Sequence, residues 1–178
     1  VWLTACASCY VVCDISGSIS HLPYSIGRTL IGSNTGDTLN GQGGDDTFIM
    51  GGGNDTLSGG AGNDTFRINA ATDISDGINL SGGDGTDTLL VNSTDISTLS
   101  FSRTDTGIAT TETFDLRGGS DGGVTVSIAT DDLDSFSTII GDGTSDILNL
   151  ASVAAYSSDI IDYDDLLVVS EQPKVDRL

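Results

Sequence analysis

Between residues 32 and 67 the chain repeats itself every nine residues without a gap. The units are 32–40 (GSNTGDTLN), 41–49 (GQGGDDTFI), 50–58 (MGGGNDTLS) and 59–67 (GGAGNDTFR). Position six is always Asp: Asp37, Asp46, Asp55 and Asp64. Position seven is always Thr, and position eight is Leu39, Phe48, Leu57 or Phe66. A Gly- and Asp-rich linker would share the composition but not the register. A fixed short period marks a repeat architecture, in which each unit buries its apolar face only by stacking on neighbours.

Each unit reads as a Gly-rich turn followed by a three-residue strand. Side chains alternate faces along a strand, so position eight points inward and positions seven and nine outward. Two units make one coil of eighteen residues with a strand on each side. Stacked coils give a parallel solenoid with two narrow sheets and a thin Leu/Phe core. Asp37 then sits over Asp55, and Asp46 over Asp64. Adjacent strands lie ~4.8 Å apart. Oxygens on opposite sides of a calcium ion lie roughly 4.6–5.2 Å apart, so the rung spacing suits calcium held between turns. Magnesium wants a tighter octahedron and gives up water reluctantly. Without an ion, two carboxylates at that spacing repel by about 3 kcal/mol at an effective dielectric near 20. Binding and folding are therefore expected to be coupled.

The overall charge points the same way. Asp+Glu number 26 against Lys+Arg 6, a net charge of −20, and 24 of the acids are Asp. That balance excludes a nucleic-acid partner held by counterion release and docking on an anionic membrane surface. Leu, Ile, Val and Phe exceed the roughly 20% below which a highly charged chain stays disordered. The chain has a core to bury, and six basic side chains are too few to offset its acid.

The units resemble the repeats-in-toxin (RTX, hemolysin-type) nonapeptide, G-G-x-G-x-D-x-U-x with U a large apolar residue. Unit 59–67 matches every specified position. Unit 41–49 lacks the second Gly, unit 50–58 lacks the first, and unit 32–40 has Thr35 at position four. The resemblance implies an all-β, right-handed parallel β-roll or β-solenoid, Ca2+ as the bound ion, and export by type I secretion machinery to a calcium-rich exterior. It assigns as metal ligands Asp37, Asp46, Asp55 and Asp64. Backbone carbonyls of Gly41, Gly43, Gly44, Gly51, Gly53, Gly59, Gly60 and Gly62 complete the set. Two well-formed sites are expected, Asp37/Asp55 and Asp46/Asp64.

A fifth full match, GGDGTDTLL at 82–90, adds Asp87 after an insertion. Asp73 falls in register after Asp64 but lacks Gly around it, so it reads as a surface turn residue. A degenerate unit, GDGTSDILN at 141–149, offers Asp146 as a weaker ligand. Runs at 97–102, 113–117 and 123–130 alternate and are rich in Thr, Val and Ile, which predicts strands. The expected organisation is a segment 1–31, read as a signal remnant or poorly ordered. A calcium-binding roll follows at 32–91, a β-rich solenoid-like continuation at 92–156, and an acidic tail at 157–178, where 159–169 predicts a terminal strand or short helix. Structural zinc takes four ligands, and His21 is a poor fourth to Cys6, Cys9 and Cys13; it reads as an ordinary linker residue.

No nucleophile–base motif is present in the sequence, so no enzyme is expected. An ice-binding Thr array is not expected either, because position three is Asn34, Gly43, Gly52 and Ala61. The expected role is a calcium-binding structural module of a secreted bacterial protein, as an adhesin or spacer segment with an unspecified target. The second reading is the C-terminal roll of a secreted hydrolase or toxin.

Overall fold

The computed structural model describes residues 9–12, 26–74, 77–101, 107–128, 133, 135–141, 146–150 and 166–170. Cys6, Cys13 and His21 lie outside the described residues, as does most of the acidic tail. Strands are short because each unit supplies few residues between Gly turns. The three sheets are parallel throughout, as a solenoid requires.

The first sheet has seven strands in the order β1 (Cys9–Val12), β2 (Arg28–Ile31), β4 (Thr47–Ile49), β6 (Thr65–Ile68), β8 (Thr88–Val91), β11 (Thr113–Asp115) and β13 (Thr138–Ile140). The second runs β10 (Gly107–Ala109), β7 (Ile78–Asp84), β5 (Asp55–Ala61), β3 (Thr38–Asn40). The third runs β15 (Leu166–Ser170), β14 (Asp146–Leu150), β12 (Thr125–Ile128), β9 (Thr98–Ser100). This is the all-β parallel roll that the nonapeptide register predicts. Thr38 pairs with Thr56 and Thr47 with Thr65, so units two apart stack.

Position eight forms the core. Under the first sheet, Leu30, Phe48, Phe66, Leu89, Phe114 and Ile139 follow one another rung by rung, all buried. Leu39, Leu57, Leu80 and Ile108 do so under the second. Phe48 and Phe66 stack with ring centroids 4.6 Å apart. Burying each such side chain stabilises by about 1.5–3 kcal/mol. The position-seven Thr residues also align, from Thr29 through Thr47, Thr65, Thr88 and Thr113 to Thr138.

The first sheet crosses the expected boundaries at two places. The first sheet begins before the first consensus unit, with β2 and β1 already paired. It also runs unbroken through residue 91 into β11 and β13. The coil lengthens on the way. A 3₁₀ turn at Ala71–Asp73 occupies the insertion after β6 and lies against β9. From that side the third sheet grows. The coil between β8 and β11 visits the third and second sheets in turn, and β11 to β14 then alternate between the first and third. The tail forms a strand, β15, beside β14.

Candidate metal centre

The position-six Asp residues sit where the Gly-rich turn enters the strand. The next residue points outward and the one after enters the core, which turns each carboxylate under the adjoining turn. Asp37, Asp46, Asp55, Asp64 and Asp87 are all buried. One oxygen of most of them closes a ladder along the roll. Asp55 Oδ1 accepts the Asp37 N–H at 2.8 Å, Asp64 Oδ1 accepts the Asp46 N–H at 2.7 Å, and Asp87 Oδ1 accepts the Asp64 N–H at 2.7 Å. The carboxylates expected as facing pairs are thus stacked head to tail. Each ties its side chain to the main chain of the rung before it.

The other oxygen has no donor. Oδ2 of Asp46, Asp55, Asp64 and Asp87, and Oδ1 of Asp37, are buried without a hydrogen-bond partner. Asp37 differs because its Oδ2 accepts from the Ser33 N–H and hydroxyl. An unsatisfied buried acceptor costs about 1–3 kcal/mol, more when charged. Such atoms point to a missing partner when they recur once per repeat.

The surroundings of these oxygens identify the partner's chemistry. A Cβ placed on Gly41 would meet both Asp46 Oδ2 and the Gly59 carbonyl oxygen. On Gly59 it would meet Asp64 Oδ2 and the Gly82 carbonyl, and on Gly82 it would meet Asp87 Oδ2 and the Thr110 carbonyl. In three successive rungs a carboxylate oxygen faces a main-chain carbonyl oxygen across a gap kept open by an absent side chain. Two acceptors facing each other need a cation between them. An all-oxygen set of this kind suits a hard ion such as calcium. Among the described residues no three His, Cys, Asp or Glu side chains converge on one point, as follows when the main chain supplies most of the oxygens.

Burial raises the proton affinity of these acids. It lifts Asp46 to about 7, with the stacked Asp64 carboxylate adding to the effect and the Arg28 N–H opposing it. Asp55 and Asp64 rise to about 6 for the same reason, aided by neighbouring carboxylates. Asp87 is also raised by burial, with the Glu112 charge contributing.

A scan of family profiles matches residues 31–66 to the RTX calcium-binding nonapeptide repeat, in four copies. Residues 31–66 are RTX calcium-binding nonapeptide repeats. No curated protein and no solved structure matches the chain. The RTX block thus covers the acidic ladder from Asp37 to Asp64, and the structure carries the same arrangement on to Asp87.

The other expected residues divide by place. Gly44, Gly51, Gly53 and Gly62 form turns that lie back to back, Gly43 bridges to Ala61, and Gly60 lies within β5 against the Gln42 main chain. A side chain at Gly62 (φ 134°) would run into the Gly44 carbonyl, and one at Gly51 into that of Ser33. Of the expected glycine carbonyls, the structure places that of Gly59 beside a carboxylate. The carbonyls of Gly82 and Thr110 belong with it and were missed; Gly82 stands at position one of the 82–90 unit and was readable as Gly59 was, whereas Thr110 carries no repeat signature. Asp146 is buried and its Oδ1 accepts the Val124 N–H at 2.7 Å, but it is not among the orphaned set.

Asp73 corrects its sequence reading. It is buried rather than at the surface, and its Oδ2 accepts the Asn69 and Ala70 N–H groups at 2.8 and 3.1 Å. The acid there closes the turn of the insertion. Arg28 and Glu112, at the two ends of the ladder, were also missed. The signal for Arg28 was present: RTLI at 28–31 lies eighteen residues before DTFI at 46–49.

Proposed function

We propose that the chain is a calcium-gated structural module of a secreted bacterial protein, which folds outside the cell and serves as an adhesin or spacer segment without chemistry of its own. The observation that carries this reading is the row of orphaned carboxylate oxygens on Asp46, Asp64 and Asp87, each set against a main-chain carbonyl. Bound there, calcium would supply the positive charge that these facing acceptors lack. The chain's own residues do the rest. Oδ1 of each Asp holds the preceding rung, Oδ2 and the carbonyl hold the ion, and the position-one Gly leaves room for it. Asp146 enters as a structural acceptor of the same ladder type rather than as a ligand.

A low-calcium interior leaves the acids unpaired and the thin core insufficient, whereas a calcium-rich exterior completes the fold. RTX repeat proteins are typically secreted, and an extracellular location follows for this chain on that reading. A polar, elongated roll with net charge −20 suits a spacer that must stay soluble. The second reading, a roll attached to a secreted hydrolase or toxin, uses the same calcium chemistry and differs only in what adjoins it.

Circular dichroism during a calcium titration tests the proposal. Strand content should rise with calcium and fall on adding chelator, by the share that the repeat block contributes. Strand content that is the same in calcium and in chelator would sink it.

A further inference from the structure

The first rung of the ladder breaks the acid pattern. Arg28 stands eighteen residues before Asp46, with Thr29, Leu30 and Ile31 in register with Thr47, Phe48 and Ile49. It therefore occupies position six of a unit whose strand is fully formed. Its main chain behaves as the others do, since the Arg28 N–H donates to Asp46 Oδ1 at 2.7 Å. Its side chain carries the opposite charge and is buried, 6% exposed.

In the later rungs the position-six oxygen faces the position-one carbonyl of the next rung: Asp46 with Gly59, Asp64 with Gly82. The equivalent carbonyl for Arg28 is that of Gly41. Arg28 Nη1 donates to it at 2.5 Å. At this level the row holds a cationic donor where the other rungs hold two facing acceptors. A guanidinium carries several donors in a rigid fork and is less strongly hydrated than an ammonium, so it tolerates burial against oxygens.

We propose that the Arg28 guanidinium is a built-in cation that takes, at the head of the row, the place an ion takes in the rungs that follow. This rests on the calcium reading of the Asp46, Asp64 and Asp87 cradles. The β2 rung, with β1 paired on its other side, then needs no metal. It stays paired in chelator and offers a formed edge on which the calcium-dependent rungs assemble. The row also binds one ion fewer than it would with Asp at residue 28.

The test compares the full chain with Arg28→Asp and Arg28→Gln. Bound calcium is counted by equilibrium dialysis, and amide exchange is followed by mass spectrometry in chelator. Arg28→Asp should bind one calcium ion more than the parent chain, and Arg28→Gln the same number. In chelator, Thr29–Ile31 and Thr47–Ile49 should exchange about tenfold faster or more in Arg28→Gln than in the parent, the scale of a lost charge-assisted hydrogen bond. Should Arg28→Asp not fold even in saturating calcium, the Arg28→Gln exchange decides alone, and parent-like protection overturns the proposal. A parent chain that binds calcium, with Arg28→Asp adding none, overturns the Arg28 assignment while leaving the cradles intact. A parent chain that binds none removes the calcium reading itself.

Discussion

In the rungs of β4, β6 and β8, each strand follows a buried Asp with one oxygen that no donor reaches. In the rungs of β11 to β14 the same ladder position holds Glu112, Val124, Ser137 and Asp146, and none of them is orphaned. The acid within β11, Asp115, is matched by Arg117, whose Nη2 lies 2.6 Å from Asp115 Oδ2. The cores differ in step. Coils of eighteen residues in the repeat block bring little beyond their position-eight side chains, whereas later coils are longer and add Leu116, Val124, Ile128, Leu133 and Phe136. Phe114 stacks on Phe136 at 5.1 Å and meets Phe101 edge-on at 5.9 Å. One sheet thus runs through two regimes. Where the coil is short, charge compensation must come from outside; where it is long, apolar burial carries the fold and the acid of β11 has an exposed Arg117 partner.

Removing calcium should separate the two regimes most strongly. In chelator, amides of β5 to β8 should lose nearly all exchange protection, while those of β11 to β13 retain most of theirs. Local stability follows buried apolar contact and satisfied polar groups, and the two regions differ in both. Uniform loss across all rungs would mean that the long coils lean entirely on the metal-bound ones, and the distinction would fail.

A smaller change should reverse sign with calcium. Asp64→Asn keeps an oxygen for the Asp46 N–H and turns the orphaned atom into a donor facing the Gly82 carbonyl. Without calcium the substitution should stabilise the block by about 1 kcal/mol, and with calcium it should destabilise it by roughly 1–3 kcal/mol. Asp146→Asn, at the equivalent place in the long-coil region, should shift the melting temperature equally in both conditions. Thermal melts of both variants with and without chelator make the comparison. A calcium-dependent shift in Asp146→Asn would place a metal where the structure has a buried carboxylate holding the Val124 N–H.

Much of this division was legible in the sequence, and its limits have physical causes. Nine-residue spacing, Asp at position six and an apolar residue at position eight were enough to place the coil, the stacking of Asp37 on Asp55, and the core of Leu39, Phe48, Leu57 and Phe66. The strands at Thr98–Ser100, Thr113–Asp115 and Thr125–Ile128 followed from alternation. A continuation past residue 91 was expected too, but not the spacing that carries the first sheet through it. Stacked residues are 18 apart up to Asp64, then 23, then 25, so the fixed period ends at the insertion; Thr88 is recovered through the separate 82–90 unit, whereas Thr113 has no such unit. The split roles of the two carboxylate oxygens were also hidden. Which oxygen meets an N–H depends on the turn geometry of a different rung.

Acid should act in opposite directions on the two regions. Asp46, Asp55 and Asp64 have metal-free folded values of about 7, 6 and 6, raised by burial above the ordinary 3.8. A raised carboxyl binds its proton more tightly when folded. Its stabilising effect is therefore complete below the unfolded value and is lost as pH rises through 6 to 7. In chelator, the repeat block should melt higher at pH 5 than at pH 7.5. In calcium the order should invert, because protons compete for the same oxygens. Burial alone would raise Asp115 too, but the hydrogen bonds and charge of Arg117 outweigh it and the net shift is downward. Its contribution is present above the unfolded value and fades only as pH falls below it. Melts in chelator that fall with acid for both regions would contradict the assignment of buried, unpaired acids to the repeat block.

The smallest expected effect concerns two residues with left-handed backbone. Gln42 fills position two of its unit with φ 69°, where the matching Gly60 and Gly83 have φ 111° and 115°. Its Oε1 is buried without a partner. An L side chain in this region costs roughly 1–2 kcal/mol, and glycine gives back about 0.5–1 kcal/mol through its freer unfolded state. Gln42→Gly should raise stability by about 0.5 kcal/mol in calcium, seen as a small upward shift of the melting temperature. Thr110, on the long-coil side, has φ 47°. Its Oγ1 accepts the Gly83 N–H at 2.9 Å, so the side chain holds the turn it strains. Thr110→Gly relieves the backbone and removes that acceptor, and should gain nothing. Equal gains at both positions would show that the Thr110 hydroxyl is incidental, and that residue would then differ from Gln42 in sequence alone.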